Sequence, residues 1–339
     1  MNQIITTDTL VVGAGPAGSV CAYQLHKSGI DCLLIDHATF PRDKICGGGL
    51  TVKAWSLLNE LMPQFTYPYQ SIYEIEIKVD DVECSFQAQH DIRVVARKDF
   101  DHRLLQYYIA AGGRFMQGAF SSFERQADGQ LLVTLKSGMQ VQCLHLVGAD
   151  GANSRVRKQL IGPYTDSILC LEQYQPKSRN AIVVELSSTK YPGGYYYLFP
   201  AVEHDVVGYG NKSTNIKMFR EILAENGYKE SKIHGAYIPI RDVDTHRDDI
   251  ILIGDAGGFA NKLTCEGLYY AIATARNAAQ AIVEGRSFTD TNVEIFKKKR
   301  RERWIAALFY SRLGISVIRQ LAKHPSLIKR LFDKGVKPK

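Results

Sequence analysis

Gly13-Ala14-Gly15-Pro16-Ala17-Gly18 stands between an apolar run, Thr9-Leu10-Val11-Val12, and a helical pattern through Ser19, Val20, Ala22, Leu25 and His26. The next apolar run, Cys32-Leu33-Leu34-Ile35, ends on Asp36. Strand, glycine turn, helix, strand and acid together form the G-x-G-x-x-G fingerprint of a dinucleotide-binding βαβ unit, the start of a Rossmann-like domain. Gly13 permits the tight turn, and Gly15 lets backbone approach a pyrophosphate. Pro16 and Ala17 open the helix beside the same phosphates. Gly18 lets the helix pack close to the sheet, and Ala22 extends that contact. Free N–H groups and the positive end of the helix dipole favour an anion there. Asp36, 18 residues after Gly18, is placed to accept bonds from ribose hydroxyls.

The 339 residues have room for two domains, and 45% hydrophobic composition supports a substantial core. Asp8 interrupts the short β-like start, so it does not read as a secretory signal, and no apolar run reaches the ~18 residues of a membrane span. The seven cysteines (21, 32, 46, 84, 143, 170 and 265) include no C-x-x-C pair, which predicts free thiols in a reducing, cytoplasmic setting. The net charge of +7 is segregated: residues 297–339 hold 14 Lys/Arg and 2 Asp/Glu, a net of +12, and the other 296 hold 28 and 33, a net of −5. No nucleic-acid module accompanies the basic segment, so nucleic acid is excluded as a partner. The nine histidines show no metal-ligand spacing, and no metal is expected.

After Asp36, the stretch Pro41-Arg42-Asp43-Lys44-Ile45-Cys46-Gly47-Gly48-Gly49-Leu50 carries three consecutive glycines, which predict backbone approaching a flat ligand. Residues 51–61 read as a helix, and runs at 72–79, 83–88 and 92–96 alternate like antiparallel strands. Arg97 opens a helix that stops at Gly112-Gly113. Strands are predicted at 114–123 and 131–136. A third apolar run, Leu144-His145-Leu146-Val147, enters Asp150-Gly151-Ala152-Asn153-Ser154-Arg155-Val156-Arg157. Further strands are predicted at 181–187, 194–199 and 205–209, with a helix at 214–226. Ile250-Ile251-Leu252-Ile253 runs into Gly254-Asp255, and a helix over 266–284 is followed by helical pattern to about residue 332.

G-x-G-x-x-G at 13–18, D-G-x-x-S-x-x-R at 150–157 and G-D at 254–255 share one order that resembles the FAD-binding domain of the para-hydroxybenzoate-hydroxylase-like flavoproteins. Pro41 to Leu50 resembles the P-x-x-x-x-C-G-G-G/A-L stretch of the geranylgeranyl reductase family. Tyr195-x-Tyr197-x-Phe199-Pro200, followed after seven residues by Gly208-x-Gly210, is similar to that family's substrate-domain motif Y-x-W/Y-x-F-P-x7–8-G-x-G. The resemblance covers residues 8–285. It implies an α/β fold with a discontinuous Rossmann-like FAD-binding domain (1–70, 95–160 and 247–290), an inserted antiparallel-sheet substrate domain (71–94 and 161–246) and a basic helical C-terminal segment (291–339).

The resemblance implies non-covalent FAD held by Gly13, Gly15, Pro16, Ala17, Gly18 and Asp36, by Cys46, Gly47 and Gly48, and by Arg97 reaching the pyrophosphate or ribityl oxygens. Ala119 matches a position at the adenine side. Asp150-Gly151 closes a turn beside the pyrophosphate, Asp255 accepts from a ribityl hydroxyl, and Gly267-Leu268 opens a helix facing the flavin pyrimidine. Cys46 is the family's active-site cysteine by position: a proton donor or flavin tuner, or else a small packing group. Tyr195, Tyr197 and Phe199 share one strand face, either lining an apolar substrate tunnel or forming ordinary core. Two departures, Lys262 for proline and Cys265 for glycine, fall ahead of the helix over 266–284, where the family's N-P-x-T-G-G/E-G-I reads Asn261-Lys262-Leu263-Thr264-Cys265-Glu266-Gly267-Leu268.

These features imply an oxidoreductase that adds hydride from reduced flavin to C=C bonds of an isoprenoid or similar apolar chain. No second G-x-G-x-x-G exists, so NAD(P)H or another carrier would deliver electrons transiently. The shared D-G motif keeps an aromatic-ring or polyketide monooxygenase as a rival. The W-x-W-x-I-P motif of flavin halogenases is absent. A non-catalytic FAD-binding accessory protein acting on another protein is a rival of a different class. The tail, with Trp304, Ile305, Leu308, Phe309, Leu313, Ile315 and Ile318 among Lys and Arg, reads either as a peripheral contact with an anionic membrane at its inner face or as a helical bundle packed on the body.

Overall fold

In the computed structural model, which describes residues 4–229 and 231–337, β1 (Ile4–Val12) runs into α1 (Pro16–Lys27), and β2 (Cys32–Asp36) returns parallel to β1 with Val12 opposite Ile35. Every β2 residue is buried, as a parallel strand covered on both faces requires. The glycines are set by contact. A Cβ on Gly18 would lie 1.7 Å from the Gly13 carbonyl oxygen, and one on Gly13, whose φ is +105°, would lie 2.4 Å from the Ala149 carbonyl oxygen.

The chain continues through β3 (Gly49–Leu50), α2 (Val52–Leu61), β4 (Gln70–Val79), β5 (Val82–Val94), α3 (Arg97–Ala110), β6 (Arg114–Gln117), β7 (Phe120–Arg125), β8 (Leu131–Leu135), β9 (Gln140–Gly148) and α4 (Arg155–Ile161). Then follow β10 (Ser167–Pro176), β11 (Ala181–Leu186), β12 (Tyr195–Pro200), β13 (His204–Asn211), α5 (Ile216–Glu225), β14 (Ile233–Pro239), β15 (Ile250–Leu252) and α6 (Leu268–Glu284). The last helices are α7 (Phe288–Thr291), α8 (Val293–Phe309), α9 (Arg312–Ala322) and α10 (Pro325–Val336).

Two sheets result. The first has the order β6-β2-β1-β9-β8-β7, and β15 lies beside β9. It is parallel through β6, β2, β1, β9 and β15, and antiparallel at β7 and β8. The second has the order β14-β10-β13-β12-β11-β4-β5-β3. It is antiparallel except where β11 meets β4. Gly49–Leu50 pair with Val94 and Arg93, so the cysteine–glycine stretch ends in the second sheet although it lies inside residues 1–70.

Several expectations are corrected. The predicted strands 83–88 and 92–96 are one strand, β5, whose pairing with β4 shifts between Ile72 and Glu74. The predicted strand 114–123 is two strands on opposite edges of the first sheet, because the chain turns at Gly118, whose N–H donates to the Asp36 carbonyl. β10 and β14 were not visible in the pattern. β10 buries Glu172, Gln173 and Gln175, and those polar residues hide its alternation.

The tail divides. Ile315, Ala322 and Ile328 are buried against Ile72, Phe86 and neighbours on β4 and β5, with Phe309 and Ile318 packed on the same cluster. Lys299, expected among the surface cations, is fully buried; its Nζ donates to the Ala260 carbonyl and lies 3.6 Å from Glu302. Among the described residues, no helix is long and apolar enough to cross a membrane.

Gly18 and Gly15 separate fold from ligand contact. Gly18→Ala is expected to destabilise the chain by about 3 kcal/mol in urea unfolding, the scale of an overpacked contact. Gly15→Ala meets only the Arg42 guanidinium, 3.4 Å from the new Cβ. It should leave stability unchanged or raise it by ~0.4–1 kcal/mol. Equal losses in both variants would mean that the Gly13–Gly18 contact does not limit stability.

Candidate active site

The three glycine-containing motifs meet at α1. The Cα of Asp150 is 2.8 Å from where a Cβ on Gly13 would be, and a Cβ on Gly254 would be 3.1 Å from that of Ala17. The carboxylate of Asp36, 5% exposed, accepts from Ala14 N–H at 2.7 Å and Ala38 N–H at 2.8 Å. It therefore holds the glycine turn as well as closing β2. Ala119 is brought to the same end by Gly118, and its carbonyl accepts from Lys136 N–H.

The D-G-x-x-S-x-x-R motif is a chain of contacts. Asp150 accepts from Arg155 N–H at 2.7 Å and from Ser154 Oγ, and Ser154 Oγ in turn accepts from Arg157 N–H. Burial pushes the Asp150 carboxyl up, opposed by these bonds. Arg157 lies 4.1 Å over the Tyr164 ring. The Tyr164 hydroxyl donates to the Asp255 carbonyl at 2.6 Å and is 3.3 Å from the Gly151 carbonyl, tying the second motif to the third. Tyr164 was not foreseen, because nothing local marks a residue that acts through its ring and hydroxyl together.

Arg97, expected at a phosphate, is buried and bidentate on Asp101, at 2.8 and 2.9 Å. Burial opposes its charge, but Asp101 and the Cys46 side chain hold it protonated above the ordinary arginine range. Arg42 reaches the same Asp101 at 3.3 Å and lies over Gly15. Two cations thus converge on one fully buried carboxylate beside the glycine turn. Asp101 was missed; its signal was the i, i+4 spacing from Arg97.

The α1 N-terminus, at Gly15, and the α6 N-terminus, at Gly267-Leu268, both lack a side-chain cap. Asp255 Oδ1 lies 3.5 Å from where a Cβ on Gly267 would be, so acid and helix start share one place. Uncapped N–H groups at two helix ends, two arginines and an acid at the end of β2 fit an anionic dinucleotide such as FAD.

On the second sheet, Tyr195, Tyr197 and Phe199 line one face, with ring centroids 5.9 and 5.6 Å apart. The flat group that Gly47 and Gly49 meet is the Phe199 ring, 3.0 and 2.7 Å from where their Cβ atoms would be, while Gly48 (φ +73°) packs on the Val95 carbonyl. Cys46, half-buried, accepts from Gly48 N–H through Sγ at 3.4 Å. Tyr195 donates to the Thr264 carbonyl at 2.6 Å. The Tyr197 hydroxyl donates to Glu172 Oε1 at 2.5 Å and is 3.0 Å from Cys170 Sγ. Burial pushes the Glu172 carboxyl up to about 7, against the Tyr197 bond and the nearby Lys44 and Arg97 charges.

The departing loop has its own supports. Asn261 Oδ1 accepts from Leu263 and Thr264 N–H, and Glu266 receives Thr51 at 2.5 Å and Lys53 at 2.6 Å. Lys262 lies 3.7 Å from Asp166. Cys265 takes φ +53°, the left-handed region in which glycine has no penalty, and burial pushes its thiol up to about 11. All seven cysteines are free.

The sequence model described as FAD binding domain matches residues 6–167. The chain is 29% identical over 330 residues to the chloroplastic geranylgeranyl diphosphate reductase of Nicotiana tabacum, covering 87% of this chain and 70% of that one. It is 29% identical over 322 residues to the menaquinone reductase of Mycobacterium tuberculosis, covering 82% and 76%. This chain belongs to the geranylgeranyl reductase family of FAD-dependent oxidoreductases. Its fold matches the crystal structure of a geranylgeranyl bacteriochlorophyll reductase-like protein from Thermoplasma acidophilum, with TM-score 0.78, 19% identity, and 98% and 100% of the two chains covered.

Asp101→Ala strands the Arg97 guanidinium, whose side chain is 9% exposed, and releases Arg42, which is 21% exposed; it should destabilise the protein by ~3 kcal/mol in urea unfolding, the lower end of the scale of breaking one partner from a buried ion pair. An unchanged midpoint would show that Arg97 and Arg42 do not depend on it.

Proposed function

We propose that this oxidoreductase saturates carbon–carbon double bonds of an isoprenoid or similar apolar chain. The observation that carries it is the Tyr195–Tyr197–Phe199 face pressed on the Cys46–Gly49 loop at one end and the Thr264–Cys265 loop at the other. The names of the two relatives, each a reductase of an isoprenoid compound, support the same class. Bound FAD would supply the hydride, received from NAD(P)H or another carrier. The residues that would hold it are Gly13, Gly15, Pro16, Ala17, Gly18, Asp36, Arg97, Ala119, Asp150, Gly151, Asp255, Gly267 and Leu268, with Cys46, Gly47 and Gly48 on the substrate side.

The chain's own residues do the rest. Aromatic faces steady positive charge developing on an alkene carbon. The buried walls exclude water, which would otherwise compete for that carbon. The Cys46 thiol gives the proton that the second carbon takes.

Purified protein should carry FAD that is released on denaturation. With dithionite-reduced FAD and no oxygen, geranylgeranyl diphosphate should gain two hydrogens per double bond by mass spectrometry. Cys46→Ala should keep FAD and lose ~10²-fold or more in turnover, as for a general acid. A product that forms only in the presence of oxygen would overturn the reductase reading, and full turnover in Cys46→Ala would reduce Cys46 to packing.

The C-terminal segment supports a contact with an anionic membrane surface. Lys297, Arg300, Arg301, Trp304, Ile305 and Leu308 fall on one stripe of α8, and all are exposed, Trp304 by 79% and Leu308 by 63%. Leu313, 69% exposed, continues it on α9. Each cation near an anionic leaflet contributes about 1 kcal/mol. The attraction weakens as the Debye length falls from about 10 Å at 0.1 M salt to about 3 Å at 1 M. The protein should sediment with anionic vesicles at low salt and release at high salt. Neutralising Lys297, Arg300 and Arg301 together should weaken binding; Lys299 is left intact because it is buried. Equal sedimentation on neutral vesicles, or none at low salt, would mean that the stripe is only a solvated helix face.

A further inference from the structure

Glu172 is an anomaly of the second sheet. It is 2% exposed on β10, opposite Gly208 of β13, which is opposite Tyr197 of β12. A Cβ on Gly208 would lie 2.3 Å from the Tyr197 ring and hydroxyl, so the ring lies across the glycine and carries its hydroxyl over one strand to reach Glu172. This is a physical reason for the first glycine of the G-x-G pair. The hydroxyl occupies Oε1, while Oε2 is buried with no hydrogen-bond partner. The Cys46 backbone N–H is the peptide group facing this carboxyl.

A buried carboxyl with one free oxygen is unfavourable for folding alone, since an apolar side chain would leave nothing unsatisfied. The groups around it are Cys170 and Tyr174 on its own strand, Tyr197 on β12, His234 opposite on β14, Arg97 on α3, and Lys44 with Cys46 in the glycine loop. The site therefore places a group able to carry one proton between the aromatic face and the Cys46 loop.

We propose that Glu172 is a proton-holding residue of the reductase site, a positioning residue behind Tyr197 and Cys46 whose carboxyl proton replaces the one given to the substrate in each turnover. This rests on the reductase reading above. The step balances. One alkene carbon takes a hydride, with its electron pair, from reduced FAD. The π electrons form the bond to the proton at the other carbon, and that proton leaves Cys46. The thiolate takes the Glu172 carboxyl proton, and the carboxylate is reloaded from solvent.

The test is Glu172→Gln, with Glu172→Asp beside it, in the FAD-loaded full chain. The first readout needs no substrate. Glu172 is raised from an ordinary value of 4.5 to about 7, so its contribution to stability is full below 4.5 and is lost as pH rises through about 7. The wild-type thermal midpoint should fall across that window, and the fall should be smaller in Glu172→Gln, which keeps only the contribution of the other shifted groups such as Asp150. The second readout is turnover of geranylgeranyl diphosphate. The wild-type kcat should fall as pH rises through 7. Glu172→Gln should lower kcat by ~10-fold or more at pH 6 and lose the limb, with KM and FAD content unchanged. Glu172→Asp should restore part of both. A wild-type limb persisting in Glu172→Gln, or a midpoint that falls with pH as steeply as in the wild type, would overturn the proposal. Full turnover in Cys46→Ala would overturn the relay as well, whereas a product that forms only with oxygen would overturn the reductase reading itself, so the two failures are distinct.

Discussion

Among the described glycines, Gly18 leaves the least room for a side chain, because it packs on the Gly13 carbonyl, and much of the architecture depends on that contact. It brings α1 so near β1 that any side chain at Gly18 would overlap the turn. The same turn receives Ala149 and Asp150 from the end of β9, and α1 receives Gly254 through Ala17. One tight contact thus sets where two distant segments end. Each ends at the carboxyl edge of a parallel strand, where open α/β sheets place their ligands. The charges follow the geometry: Asp36 holds the Ala14 N–H, and Arg42 and Arg97 are fixed on Asp101 beside Gly15.

The second sheet is ordered by another glycine contact. Tyr197 lies across Gly208, and Phe199 lies on Gly47 and Gly49. Small residues on one strand or loop and flat rings on the next lock the Cys46 loop to β12. The opposite side of that sheet is ordinary core, where Tyr196, Leu198, Val207 and Tyr209 pack with Phe219, Ile222 and Leu223 of α5. The sheet therefore has a structural face and a chemical face, and strand alternation alone separates Tyr196 from its neighbours Tyr195 and Tyr197.

The parallel centre of the first sheet was legible because its signals are local. Four-residue apolar runs and glycine turns announce β1, β2, β9 and β15 without reference to the rest of the chain. β10 was not legible, because its buried Glu172, Gln173 and Gln175 find their partners far away in sequence: Tyr197 for one oxygen of Glu172, and the Lys229 carbonyl for both glutamines. Lys299 failed for the same reason. In a run of five cations it reads as surface, and only the fold supplies the Ala260 carbonyl and Glu302 that let it be buried. Arg97 was located correctly on its helix, but its bidentate partner Asp101 was visible only as a spacing. Motifs name residues by local pattern; residues whose role comes through a second side chain, such as Tyr164 and Glu172, carry no such pattern.

The loop from Asn261 to Gly267 shows how a departure from the family pattern is accommodated. At Cys265, where the family motif has glycine, the backbone takes φ +53°, a conformation that glycine adopts without strain. A non-glycine residue there raises the energy by about 1–2 kcal/mol, and the surroundings must hold it. They do: Asn261 accepts two N–H groups of the loop, Glu266 is clamped by Thr51 and Lys53, and Tyr310 and Tyr195 bind the Leu263 and Thr264 carbonyls. Lys262, in place of proline, turns toward Asp166 at the start of β10. The loop is therefore held from α2, from β12 and from the tail at once. The side chains of this loop differ from the family motif, and each departure is met by a partner on another element: Lys262 by Asp166, and the left-handed Cys265 by the bonds that clamp Thr264 and Glu266 on either side of it.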